Sequence, residues 1–393
     1  MCVTDPQKID QFLDRGVENW FPSKDFIRAR LLEGKQLSMY LGIDPTGPSL
    51  HLGHMIPLRK LREFQDLGHK VILLVGDFTG MIGDPSDKSA TRKRLTRKEV
   101  LANAKLYKKQ ASAILRFSGK NAAELKFNSK WLAKLSFEDV VELAAHFTVQ
   151  QMMARDMFDR RLKEDKPISI SEFMYPLMQG YDSVAMKVDG EIGGNDQTFN
   201  MLAGRTLIKE MLHKEKFVVA MKLLVDSTGK KMGKTEGNMI TLGDSPEEMF
   251  GKVMSWTDGM IRNGFELLTK ISLDAVDSKL KTDNPRDVKM WLAEEVVAEF
   301  FGRDKAEAAS KSFVAMFQNH ETPTDVPEFC VGKPVNLVDV LVEFKIVTSK
   351  SEARRVIDEG GVKVDGELIK AYDAIVKPGQ LIQKGKRHFV KIV

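Results

Sequence analysis

Apolar and polar positions divide the chain into short buried runs and longer helical stretches. Leu37–Ile43 and Val71–Val75 are short, largely apolar and β-prone, without the alternation of a one-faced strand. Both therefore read as strands covered on two sides in a parallel sheet. Asp44-Pro45-Thr46-Gly47-Pro48 forces a turn after the first run. From Leu50 to Leu67 the spacing is helical, with Leu58, Leu61 and Phe64 on one side and Gly68 as the stop. Strand, loop, helix and strand predict a right-handed parallel unit, and such sheets bind ligands at the carboxyl ends of their strands.

The same spacing extends the prediction. Ser23 is expected to cap a helix through Phe26, Ile27, Ala29 and Leu32, closed by Gly34. Helices are expected to fill Glu99–Phe117 and Ser136–Lys163, with Val140, Val141, Leu143 and Phe147 serving as core or as a dimer surface. Pro176 fits only near a first turn, so the next helix should start close to Ser171. Glu191-Ile192 ends a strand at Gly193-Gly194, and Val218–Val225 reads as another strand. Ser245 and Glu248 form a capping box, with Pro246 at the first helical position. Asn284-Pro285 opens a helix running to Gly302, and Asp304 opens the next. After a linker around Thr322–Pro327, a small module is expected to hold a basic helix from Ser349 and a hairpin at Glu359–Gly366.

Candidate chemistry lies in the loops. His51 and His54 share a face of the first helical turn, and Gly53 lets a ligand approach the backbone. A helix N-terminus there suits phosphate, although two histidines on an early turn are equally consistent with solvation. The Gly76–Ser86 loop holds three glycines and leads into Lys88, Arg92, Lys93, Arg94, Arg97 and Lys98. That run is either a solvated face or a contact for polyphosphate or RNA. Tyr175, Gln179 and Asp182 fall at i, i+4 and i+7, a polar stripe that either rings a small substrate or faces water. The spacing alone favours water. Asp196 follows a strand end, where an acid takes a ribose diol. The 226–235 loop carries Lys230, Lys231 and Lys234, a phosphate clamp or an ordinary basic turn.

Composition narrows the class. Lys and Arg number 60 against 55 acids, a net +5, compatible with nucleic acid without requiring it. Of that excess, +3 falls in Pro334–Val393, where 11 Lys and Arg face 8 acids. Cys2 and Cys330 give neither a disulfide framework nor metal-knuckle spacing. With no signal-type apolar region at the start and no apolar run of spanning length, the expected chain is soluble and cytoplasmic.

These motifs together resemble the class I aminoacyl-tRNA synthetases. His51-Leu52-Gly53-His54 is similar to the family's His-Ile-Gly-His signature, and Lys231-Met232-Gly233-Lys234-Thr235 to its Lys-Met-Ser-Lys-Ser signature, with Gly233 and Thr235 in place of two serines. Tyr40, Asp84, the Tyr175/Gln179/Asp182 stripe and Gly193-Gly194-Asn195-Asp196-Gln197 extend the resemblance to the bacterial-type tyrosyl enzymes, over essentially the whole chain. It implies an α/β fold. A helical lead-in (1–36) would precede a Rossmann-like parallel-sheet catalytic domain with a helical connective insertion (37–240). An α-helical anticodon-region domain (241–320), a linker (321–335) and a small α+β RNA-binding domain (336–393) would follow.

The resemblance also implies roles. Tyr40 and Asp182 would hold the tyrosine phenol, and Asp84, Tyr175 and Gln179 its ammonium, with Gly42 and Asp44 in the same site. Asp196 and His54 would meet the ATP ribose, with Gly53 and Gly194 alongside, and Gln197 the reacting carboxylate or α-phosphate. Thr46 and His51 would contact the terminal phosphates, with Lys88, Arg92, Lys231, Lys234 and Thr235 around the leaving pyrophosphate. Lys350, Arg354 and Arg355 would contact RNA. Implied partners are L-tyrosine, ATP with its Mg2+, and tRNA(Tyr), in a homodimer without a structural metal or a membrane. Glu191 departs from the glutamine of many relatives. A nucleotidyltransferase with the same histidine loop and a non-catalytic RNA-binding relative are the alternatives. The Lys231 loop, the stripe and the basic module count against the first. Retention of every catalytic position counts against the second.

Overall fold

The runs without a polar face become inner strands. The computed structural model describes residues 2–84, 86, 95–225, 239–317, 328–329, 334–344, 346–347, 349–385 and 388–393. Two units emerge, Met1–Arg303 and Asp304–Val393. The first holds six strands, β1 (Val17–Phe21), β2 (Ser38–Ile43), β3 (Lys70–Val75), β4 (Glu124–Phe127), β5 (Gly190–Gly194) and β6 (Phe217–Met221), in the order β1-β6-β5-β2-β3-β4. β6 is buried at every residue, and β3 at all but Lys70. All neighbours are parallel except β1, which runs antiparallel to β6. The chain leaves β2 towards β3 on one side and returns as β5 on the other, so a crevice opens at the carboxyl ends of β2 and β5.

The helix after β2 spans Leu52–Asp66 and ends near Gly68. Ser23 caps Lys24–Leu32 by accepting the Phe26 N–H at 3.2 Å. Ser245 and Asn284 cap Pro246–Met254 and Pro285–Phe301 as expected.

Several expectations need correction. The 1–36 lead-in is not purely helical, because Val17–Phe21 completes the sheet beside β6. The Ser136–Lys163 stretch is three helices, Phe137–Ala145, Val149–Met153 and Asp156–Lys163, since Thr148 starts a second capping box twelve residues after that of Ser136. Glu99–Phe117 likewise breaks into Arg97–Ala104 and Tyr107–Ala111. Pro176 is the seventh residue of the Ile170–Met186 helix, beyond the first turn; burial of that helix's inner face outweighs the lost backbone hydrogen bond. β6 stops at Met221, and Lys222–Val225 turns to face the crevice.

In the second unit, Leu337, Leu341, Ile357, Val362, Ile382 and Val390 form a separate core. Its five-stranded sheet includes Glu328–Phe329, paired in parallel with His388–Ile392, so part of the expected linker is strand. The hairpin between Val362–Val364 and Glu367–Leu368 turns at Asp365 and Gly366, at φ +52° and +84°, the tight turn that follows strand twist.

Close packing at β5 makes a test. A Cβ on Gly190 would lie 2.1 Å from the Phe217 ring on the neighbouring strand. Gly190→Ala should lower stability by about 1–3 kcal/mol, read as a lower urea midpoint without a change in slope.

Candidate active site

The crevice is a cavity of about 860 Å3 walled by the ends of β2, β3, β5 and β6, the Leu52–Asp66 helix start and the Ile170–Met186 helix. It gathers Tyr40, Gly42, Asp44, Thr46, His51, Gly53, His54, Asp84, Tyr175, Gln179, Asp182, Gly194, Asp196 and Gln197. Lys88, Arg92, Lys231, Lys234 and Thr235 lie outside the described residues. Asp84 and Ser86 precede the first of those stretches, Val225 and Met239 bracket the second, and all four line the cavity. Lys350, Arg354 and Arg355 are exposed on the Lys350–Asp358 helix of the second unit.

The helix stripe faces the cavity rather than water. Tyr175 and Asp182 are buried, and Gln179 is half-buried. Tyr175 donates to Asp44 Oδ2 at 2.9 Å, while Thr79 donates to Asp44 Oδ1 at 2.7 Å. A Cβ on Gly76 would sit 1.9 Å from that same Oδ1, so only glycine fits there. Burial pushes the Asp44 carboxyl up to about 7, against the pull of its two hydroxyl donors. Asp182 takes Trp131 Nε1–H at 2.7 Å and Asn128 Nδ2–H at 3.2 Å. Burial drives its carboxyl well above the usual range, and those two donors oppose the shift. Asp84 accepts from Gln197 Nε2 at 2.6 Å and from the Ser86 N–H at 2.8 Å.

At the helix start, the histidines cap backbone. Gly53 N–H donates to His51 Nδ1 at 3.1 Å, and His51 N–H donates to His54 Nδ1 at 3.3 Å. With both Nδ1 atoms accepting, each neutral ring carries its proton on Nε2. The rings stack at 3.8 Å, and a Cβ on Gly53 would strike His51 at 2.9 Å. Leu52 N–H donates to the Ile240 carbonyl at 3.0 Å, tying the segment after residue 238 to this turn.

Other supports carry no sequence signature. Asn128 joins Asp182 to Thr79, and Tyr107 and Asn103 hold the Gly47 and Pro45 carbonyls of the turn after β2. Glu191 forms a fully buried ion pair with Lys216. Residue spacing could not have found these partners, because each comes from a distant segment.

Comparison with known proteins settles the family. The family model described as tRNA synthetases class I (W and Y) matches residues 32–318, and that of the tyrosine–tRNA ligase SYY-like C-terminal domain matches 318–392. A tyrosine–tRNA ligase of Thermotoga maritima is 45% identical over 98% of each chain. One of Haemophilus ducreyi is 45% identical over 97% of this chain and 96% of its own. The chain belongs to the tyrosyl-tRNA synthetase family. A solved tyrosyl-tRNA synthetase from Archaeoglobus fulgidus, complexed with L-tyrosine, shares the fold at a TM-score of 0.61 and 22% identity, over 78% of this chain and all of that one. As a tyrosyl-tRNA synthetase, the protein activates tyrosine with ATP and transfers it to tRNA(Tyr).

The raised Asp44 carboxyl carries a pH signature. Its folded-state value near 7 exceeds the unfolded 3.8, so the acid stabilises the fold below about 4 and loses that contribution as pH rises through 7. Asp44 is partly open to the cavity, which tempers the size. Between pH 4 and pH 8 the stability of the wild type relative to Asp44→Asn should fall by roughly 2–4 kcal/mol. Urea unfolding of both at several pH values checks this, and parallel curves would contradict it.

Proposed function

We propose that the cavity seats tyrosine beside Tyr40 and Asp182 and ATP along the turn at His51. The observation that carries the reading is a single cavity shared by a buried phenol–carboxylate pair and a histidine-capped helix start. Tyr40 and Asp182 read the substrate phenol. Asp84, Tyr175, Gln179 and Asp44, beside the small Gly42, form the electronegative wall for its ammonium. Asp196 and His54 take the ribose, with Gly53 and Gly194 leaving room for the backbone to approach, and Gln197 orients the reacting groups.

The tyrosine carboxylate then attacks the α-phosphate in line, and pyrophosphate departs with the leaving electron pair. No protein nucleophile is required, so the contribution of the chain is position and charge. Nε2–H donors on His51 and His54 match phosphate and ribose oxygens. Lys88, Arg92, Lys231 and Lys234 supply the charge around the leaving group and Thr46 and Thr235 add hydroxyl donors, and ATP enters with Mg2+ on its phosphates. The terminal ribose hydroxyl of the tRNA displaces AMP from the adenylate in the second step.

Lys350, Arg354 and Arg355 are proposed to contact tRNA phosphates. The active assembly is proposed to be a homodimer, with exposed Phe137 and Val141 on its contact surface; light scattering tests its mass. A cytoplasmic location is proposed, which cell fractionation tests.

Tyrosine-dependent exchange of pyrophosphate into ATP is the decisive assay. Asp182→Ala should cost about 10²-fold in kcat/KM for tyrosine and only a few-fold for phenylalanine, because a buried hydrogen bond to the phenol is lost. Equal losses would remove Asp182 from phenol recognition.

Replacing Arg354 and Arg355 together by Ala should weaken tRNA binding and lower the slope of log K against log salt by about 2, with tyrosine activation unchanged. An unchanged salt slope would exclude them as phosphate contacts.

A further inference from the structure

Behind the proposed tyrosine end of the cavity lies a buried cation that the roles above do not use. Lys216 and its partner Glu191 are both shielded from solvent. An ammonium has three donors and no acceptor, and all three find oxygen here. One meets Glu191 Oε2, one the Ser183 hydroxyl at 2.8 Å, and one the Met201 carbonyl at 3.1 Å. Ser183 Oγ stands 3.0 Å from the Tyr40 hydroxyl, and Glu191 Oε1 accepts from Gln179 Nε2 at 3.0 Å. The cation therefore reaches two residues of the cavity wall through one intermediate side chain each, Tyr40 through Ser183 and Gln179 through Glu191.

We infer that Lys216 is a positioning residue for tyrosine recognition. Because Lys216 donates to Ser183 Oγ, the single Ser183 proton is turned towards its other near neighbour, the Tyr40 oxygen. The Glu191 carboxylate lies farther from it, at 3.5 Å. Tyr40 then has an occupied lone pair and a proton to donate, to the Gln179 carbonyl at 3.4 Å, to the nearby Glu191 carboxylate or into the cavity. A substrate phenol meets a donor at Tyr40 and an acceptor at Asp182, an arrangement that phenylalanine leaves unsatisfied. Through Glu191, the same cation fixes which way the Gln179 amide points. Lys216 also sits 5.7 Å from the Tyr40 ring, which holds that side chain against it. Burial pulls the ammonium down and Glu191 holds it up, so the cation depends on its partner.

This inference rests on the proposed tyrosine pocket, so the experiment separates the two. Pyrophosphate exchange with tyrosine and with phenylalanine is measured for Tyr40→Phe, Ser183→Ala, Lys216→Met, Glu191→Gln and the Lys216→Met/Glu191→Gln double variant. Melting temperature and KM for ATP are measured alongside. Ser183→Ala leaves the ion pair in place and removes only the link. It is expected to lower the tyrosine-over-phenylalanine ratio about tenfold, through KM for tyrosine, with KM for ATP within about twofold of wild type. Each single change in the ion pair is expected to lower the ratio further, and the neutral double variant to recover at least part of the Lys216→Met loss. A Ser183→Ala enzyme with wild-type discrimination, beside a Tyr40→Phe enzyme that has lost it, would overturn the role of Lys216. This arm decides the matter even if the single charge variants fail to fold. Wild-type discrimination in Tyr40→Phe would instead overturn the pocket assignment itself.

Discussion

Carboxyl groups placed in a cavity need donors, and that requirement organises the first unit. Asp44, Asp84, Asp182 and Glu191 all line one crevice. Left unpaired in such surroundings, each would cost several kcal/mol or take up a proton. The fold answers each differently. Two hydroxyls hold Asp44, two side-chain N–H groups hold Asp182, an amide and a backbone N–H hold Asp84, and a lysine holds Glu191. Those donors arrive from the segments that follow β3, β4 and β5, from the long helix and from the residue before β6, so polar satisfaction and sheet order are a single problem.

The arrangement suits a reaction without a protein nucleophile. An acid wall attracts a cationic amino group, and a helix start with imidazole donors attracts phosphate. The two poles lie in one cavity, so under the proposed reading a substrate with an ammonium and a carboxylate would be oriented by its own charges. The second unit has its own core and carries exposed basic residues on a helix, which suits the proposed contact with a polyanion.

Legibility in the sequence followed the range of the interactions. Local signals were readable: the Asp44–Pro48 turn, the Ser23, Ser245 and Asn284 caps, and the stripe on the Ile170–Met186 helix all depend on residues within a few positions. Spacing placed Tyr175, Gln179 and Asp182 on one face but did not say which way that face points, because burial is a tertiary property. Asn128, Trp131 and Lys216 were invisible, since each acts on a residue many positions away. Lys216 in particular reads as an ordinary polar residue before a strand. β1 escaped for the same reason, as its pairing partner lies about 200 residues further along the chain.

The pairing of β1 sets a schedule for synthesis. Val17–Phe21 leaves the ribosome first among the strands, yet its partner Phe217–Met221 follows about 200 residues later. At 5–20 residues per second the wait is roughly 10–40 s. The β2 edge stays open almost as long, because β5 is also made late. During that interval an apolar β2–β3 pair is exposed at one edge, an open template for a neighbouring nascent chain. Translation speed through the first 221 residues is therefore part of how this sheet reaches its native order.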